Sequence, residues 1–329
     1  LSDPDVPLRV RLEAFNPFMP VDAEISGLPV AILRYVLIND SAVDVAATVC
    51  GSMRNFVGCD GHLGEASGNS NVFVNHGGLR GILMSSPGVP ADAEQFGTIA
   101  LATTCPDTTH RSSWTEERWH GELVDFWDDL SQDGRLDPRE DASQDAPMCS
   151  LAAHTVVPAF GQVDVLFLLT WRFPNRQTWT PCSSEGCSAG ECSTGEDRVG
   201  NYYATQFADA WEVAESVASR VAELEESTTR FVRDLTDSDL PAVVKEAALY
   251  NLSTLRSQTC FRTEDGRFFG WEGCRDDEGC CLGSCTHVWN YEQATAFLFG
   301  DLARSMREVE FGYATDESGR MSFRVHLPL

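Results

Sequence analysis

The hydrophobic period of this chain changes once, and that change limits the architectures open to it. Up to about residue 175, apolar residues alternate with polar ones, as in "PLRVRLEAF" and "VAATVCGSM", or form short, nearly continuous runs, as in "LPVAILRYVLIN" and "VDVLFLLTWRF". Pro, Gly, Asn and Asp punctuate the runs, and this pattern predicts several short strands in an antiparallel β-sandwich. Polar loops are expected at 59–71 and 131–147. From Tyr203 to Leu235 the period lengthens. Phe207, Ala210, Trp211, Ala214, Val217, Val221, Leu224, Thr228, Phe231 and Leu235 follow steps of three and four residues, the stripe of one long amphipathic helix. Pro241 ends that helix and suits the first turn of the next, predicted at about 241–255 with Val244, Ala247, Ala248, Leu252 and Leu255 inward. An irregular stretch, 256–285, precedes a third helix from about Trp289 to Glu308. Residues 181–200, rich in Ser, Gly, Cys and Glu, break the composition. The boundary expected there separates a sandwich domain, 1–195, from a helical domain, 196–329.

Fifty acidic residues stand against 24 Lys and Arg, a formal net charge of -26. Phosphate contacts need clustered basic residues, so a nucleic-acid partner is excluded on charge, and anionic membrane surfaces are disfavoured. No apolar run approaches the length of about 18 residues that a membrane span needs. The opening "LSDPDVPLRV" has neither a basic n-region nor an apolar h-region, as expected of a processed or truncated end. No targeting signal therefore assigns a location.

The segment Gly270 to Tyr291, "GWEGCRDDEGCCLGSCTHVWNY", concentrates four cysteines, four acids, a histidine and two tryptophans. Three readings compete for it. The first is a catalytic lip: a carboxylate beside an indole suits a sugar, because the aromatic face stacks on the ring's C–H surface while the acid reaches the anomeric carbon. Glu272 beside Trp271 has that form. The second is a disulfide knot. Cys274, Cys280, Cys281 and Cys285 are expected to bond to each other, to Cys260, or to Cys182, Cys187 and Cys192, which recur every five residues; this would imply an oxidising compartment, extracellular or at the cell surface. The third is a metal- or redox-responsive module. C-x-x-C pairs are absent, so a structural zinc ion has little support from spacing. Asp276 and Asp277 offer hard oxygen ligands that suit calcium. Asp128, Asp129, Asp133 and Asp137 around Gly134 also alternate oxygen ligands but lack the full twelve-residue pattern, which favours a turn. His110 and His120, near Trp114 and Trp119, are further groove candidates. The catalytic reading requires no cofactor, and a structural calcium or zinc ion is the inorganic partner the segment could take.

Several segments together resemble one enzyme family. "EAFNPFMPVDAEISGLPVAILRYVLIND", "GSMRN", "HGELVDFWDDLSQDGRLD", "LTWRFPN", "NYYATQFADAWEVA", "NLSTLRSQTCFRTEDGRFFGWEGC" and "SCTHVWNY" are similar to glycoside hydrolase family 116, the family of bile-acid β-glucosidase, also known as non-lysosomal glucosylceramidase. The cysteine-rich insertion "CRDDEGCCLGSC" resembles a bacterial and archaeal branch. The resemblance implies a β-sandwich followed by the start of an (α/α)6 barrel, and a retaining, exo-acting β-glycosidase acting on a β-linked glycoside, glucose above xylose or N-acetylglucosamine. It implies Glu272 as nucleophile, Thr286, His287 and Trp289 at the sugar subsite with Trp271, and support from Asn290. The family's acid/base aspartate lies well over a hundred residues beyond the nucleophile, so it is expected past residue 329 with the remainder of the barrel. A non-catalytic carbohydrate-binding or scaffold protein is the alternative.

Overall fold

The computed structural model describes residues 6–59, 68–115, 121–139, 147–179, 197–275, 278–280, 284, 292–325 and 327–329. Among these the chain runs β1 (Arg9–Phe15), a single helical turn α1 (Ala23–Ser26), β2 (Val30–Ile38), β3 (Val45–Arg54), β4 (Ser70–His76) and β5 (Leu79–Ser85). It continues through β6 (Thr98–Thr103), β7 (Thr108–Arg111), α2 (Gly121–Asp133), β8 (Met148–Val157) and β9 (Gln162–Arg172). Then follow α3 (Ala210–Ala218), α4 (Val221–Thr236), α5 (Ala242–Leu252), β10 (Cys260–Arg262), β11 (Phe268–Gly270), α6 (Glu292–Leu298) and α7 (Gly300–Gly312). Two compact units interleave along this order: Pro17–Leu28 and Phe173–Gln206 belong with Glu223–Leu329, whereas Phe207–Ala222 belongs with the strands.

The first unit is an antiparallel β-sandwich. One sheet has the order β1-β2-β9-β6-β5-β4 and the other β3-β8-β7. Strand β9 shows why "VDVLFLLTWRF" is almost wholly apolar: alternate residues face opposite sides, and both sides are covered. An added Cβ at Gly51 of β3 would lie 3.7 Å from Phe167, so Phe167 faces the three-stranded sheet. Thr170 turns the other way and donates to the Ala210 carbonyl of α3 at 2.6 Å, with Leu168 on the same side and fully buried. Helix α3 carries Ala210, Trp211, Val213, Ala214 and Val217 into that contact. Cys149 of β8 and Met84 of β5 meet across the sandwich at 3.9 Å. Between β4 and β5 the turn is Gly77-Gly78, at φ 62° and 82°. Two consecutive positive φ values are what a tight turn of this hand requires, and His76 then pairs with Leu79.

Helix α2 was not foreseen by strand periodicity in this part of the chain. Phe126 packs with Leu136 and Ala152, beside Cys50, Trp114 and Leu130, and covers the outer side of the three-stranded sheet. Polar contacts fix it there. Arg111, fully buried, pairs with Asp125 at 2.7 Å and Asp129 at 2.6 Å. Asp129 also accepts from the Asp137 amide, and Asp133 accepts from the Arg135 amide. Thus Asp129 and Asp133 act in an ion pair and in turn-closing hydrogen bonds.

The second unit is helical with one small hairpin, β10 against β11, in the register Cys260↔Gly270, Phe261↔Phe269 and Arg262↔Phe268. The single long helix expected from Tyr203 is two helices, broken at Ser219 and Arg220, where the Arg220 amide bonds to the Val217 carbonyl instead of continuing the α-helical ladder. No Gly or Pro marks the break, and the apolar phase runs straight through it, so periodicity alone reads it as continuous. Among the described part of the third predicted helix, Phe299 (φ −139°, ψ 68°) separates α6 from α7. Helix α5 forms as predicted, but no residue of it is buried, and Val243 and Tyr250 are exposed at 71% and 76%. An apolar stripe specifies a helix; burying it takes a neighbour, and none among the described residues encloses this one.

Candidate active site

The β10–β11 hairpin delivers the "GWEG" loop. Its tip is closed by Asp265, which accepts from Thr263 Oγ1 at 2.6 Å and from the Arg267 amide at 3.1 Å, and pairs with the Arg267 guanidinium. Burial pushes the Asp265 carboxyl upward, but these bonds outweigh it and hold the group below the usual carboxylate range. Gly266, at φ 89°, completes the turn.

The residues on either side of Glu272 are tied through their backbone, Trp271 by its amide and Gly273 by its carbonyl, and so is Gly270 at the end of β11. The Gly270 amide donates to Ser284 Oγ at 3.1 Å, and that hydroxyl donates back to the Gly270 carbonyl at 3.0 Å. The Trp271 amide donates to Thr259 O at 3.0 Å, and the Gly273 carbonyl accepts from the Cys280 amide at 3.0 Å. Glu272 itself is exposed.

Trp271 is fully buried directly beside that exposed carboxylate. Its indole stacks on Trp179 with centroids 5.7 Å apart and planes at 7°, and tilts against Phe261 at 4.6 Å. Val199, Phe269, Val309, Val325 and Leu327 complete the cluster. The sugar-stacking role expected of Trp271 needs an open aromatic face, and packing has closed this one. The indole serves instead as a pedestal, and burying so large an apolar group at the root of the loop stabilises it by about 3–5 kcal/mol relative to truncation to Ala.

Arg176, Trp179 and Ser284 also converge here, and sequence reasoning missed them. Arg176 is 5% exposed. Its guanidinium carbon lies 4.4 Å from the Trp179 ring, 4.2 Å from Phe261 and 5.2 Å from Trp271. Its Nη1 donates to Gln258 Oε1 at 3.0 Å. A basic residue three positions before a tryptophan in "NRQTW" was the available signal, but nothing local ties it to the distant loop.

Thr286, His287, Trp289 and Asn290 lie outside the described residues, as do Asp276, Asp277, His120, Cys281, Cys285 and the 182–192 cysteines. Arg275 pairs with Glu278, the acid of the insertion that is described. Disulfides were expected around this loop, yet no two described cysteines are joined. Cys260 is buried with Phe268 and Met306, while Cys274 packs beside the Trp271 cluster. The described part of the loop is held by aromatic packing and hydrogen bonds. Among the described residues no three His, Cys, Asp or Glu side chains converge as metal ligands. His110 stacks on Phe73 at 3.8 Å.

The family profile described as beta-glucosidase 2, glycosyl-hydrolase family 116 N-term matches residues 1–224. The chain therefore belongs to glycoside hydrolase family 116. Among solved structures it is similar to one assigned as a kojibiose phosphorylase from human microbiome, with 9% identity and a TM-score of 0.25 over 50% of this chain. The chain spans 16% of that structure's length. No helix among the described residues is long and apolar enough to cross a membrane.

Proposed function

We propose that this chain carries the nucleophile loop of a retaining, exo-acting β-glycosidase, with glucose as the favoured glycone. The observation behind this reading is an exposed carboxylate, Glu272, between two residues whose backbone is hydrogen-bonded, Trp271 through its amide and Gly273 through its carbonyl, with the neighbouring indole buried. A nucleophile must approach the anomeric carbon along one line, and a fixed peptide lowers the entropy of reaching it.

In double displacement the Glu272 carboxylate attacks the anomeric carbon as the protonated leaving oxygen departs; water, activated by the second carboxyl, then cleaves the glycosyl ester. That second carboxyl must lie about 5–5.5 Å from the first. We assign it to an aspartate beyond Leu329, in a barrel whose first helices are α4–α7. Exposed apolar side chains on these helices, Val243, Tyr250, Phe297 and Phe311 among them, offer surface for further helices to cover. Thr286, His287 and Trp289 are proposed to line the sugar subsite.

The test is Glu272→Gln in the full-length polypeptide. An amide cannot form the glycosyl ester, so turnover should vanish while the fold persists, and azide should rescue Glu272→Ala with inverted product stereochemistry. Hydrolysis by the Gln variant at close to the native rate refutes the assignment.

A further inference from the structure

The buried Arg176 has no part in the chemistry described above, yet it occupies the centre of the bed on which the nucleophile loop rests. We propose that Arg176 is a positioning residue for Glu272, acting through Trp271; this rests on the reading of Glu272 as nucleophile. Three rings surround its guanidinium at 4.2–5.2 Å. A cation over an aromatic face is strongest when desolvated, and at 5% exposure this one is desolvated. Each ring belongs to a different segment of the support. Phe261 belongs to β10, which pairs with β11 and so sets where the loop begins. Trp271 is covalently next to Glu272. Trp179 stacks on Trp271, and its carbonyl accepts from the Gly279 amide at 2.8 Å, anchoring the return of the loop.

The backbone of Arg176 is fixed as well. Its carbonyl accepts from the Val199 and Gly200 amides at 2.8 and 3.0 Å. The guanidinium thus enters the rings from a tethered segment and couples that segment to both sides of the loop. A planar guanidinium stacks on several rings at once, whereas an ammonium is a compact, strongly hydrated charge that does not. Charge alone at this position should therefore not restore the geometry.

The experiment uses the full-length polypeptide as native protein, Arg176→Lys and Arg176→Leu, and measures the rate at which a 2-deoxy-2-fluoroglycoside esterifies Glu272, together with kcat and KM. Displacing a reacting group by about 1 Å costs on the order of 10²-fold. Both variants should lose about that factor in trapping rate and kcat while KM stays within a few-fold, and the exciton signal of the stacked Trp179–Trp271 pair in circular dichroism should weaken. If Arg176→Leu does not fold, Arg176→Lys carries the same measurement. Trapping and kcat within about twofold of native in a folded variant overturn the proposal. Native protein that is not labelled at Glu272 overturns the nucleophile reading first, and the positioning role with it.

Discussion

Gly279→Ala tests the pedestal under the nucleophile loop with a single methyl group. A Cβ built at Gly279 falls 2.5 Å from Trp271 Cε2 and Nε1 and 2.9 Å from Cδ1. Carbon contacts are comfortable at about 3.5–4.0 Å, so the indole or the loop must move by about 1 Å. The indole has little room to retreat, since Trp179 stacks on it and Phe261 lies 4.6 Å away. Gly279 is tied by its amide to Trp179 O and by a bridge to Cys274. Overpacking of this kind costs about 1–3 kcal/mol. A less flexible unfolded chain returns about 0.4–1 kcal/mol, leaving a net loss of about 1–2 kcal/mol. Urea unfolding followed by tryptophan emission should show a lower midpoint with the same m-value. In the full-length polypeptide, the same 1 Å shift should slow fluorosugar trapping of Glu272 by about 10²-fold. Gly273→Ala is the internal control for stability, because nothing lies within 4 Å of its added Cβ. Equal midpoints and equal trapping rates for Gly279→Ala and native protein would refute the reasoning.

Asp129→Ala removes one of two carboxylates from the fully buried Arg111 and should destabilise the sandwich unit by roughly 3 kcal/mol, measured by denaturant unfolding; a change under about 0.5 kcal/mol would mean that Asp125 alone compensates the charge. His154 should make the same unit acid-sensitive. Thr48 Oγ1 gives its hydrogen to Gly134 O and so accepts from His154 Nδ1, while Thr109 Oγ1 faces Nε2 at 2.8 Å and donates to it, an arrangement for neutral imidazole. Burial, then repulsion from Arg135, lowers its pKa, against Asp107 and Asp133 acting in the opposite direction. A lowered folded-state value means that the stabilisation is complete above the unfolded value of about 6.5 and is lost as pH falls through the folded one. Native protein should therefore lose more stability than His154→Gln on acidification below about pH 6.5, and parallel curves would exclude the effect.

The period-two and continuous apolar runs marked β1, β2, β3 and β9 from sequence because alternation is a local property of the pleated backbone, whereas the burial of β9 on both faces came only with the fold. Helices α3, α4 and α5 were legible for the same reason at a period of 3.6. Glu272 was legible as a candidate through its neighbours and its resemblance to a family loop. Tertiary structure decided what no window of sequence contains. Whether Trp271 offers its face to a sugar or buries it depends on Arg176 and Trp179, which come from a distant segment and arrive only by folding. Spacing records the crowding of the cysteines, but bonding needs paired Cβ positions, and of those described Cys260 and Cys274 pack in different clusters, while Cys281, Cys285 and the 182–192 cysteines lie outside the described residues. The break between α3 and α4 is likewise invisible to periodicity, since the apolar stripe continues across Ser219 and Arg220 while the hydrogen-bond ladder does not. Sequence determines the pattern each element presents, and long-range packing determines which of those faces meet.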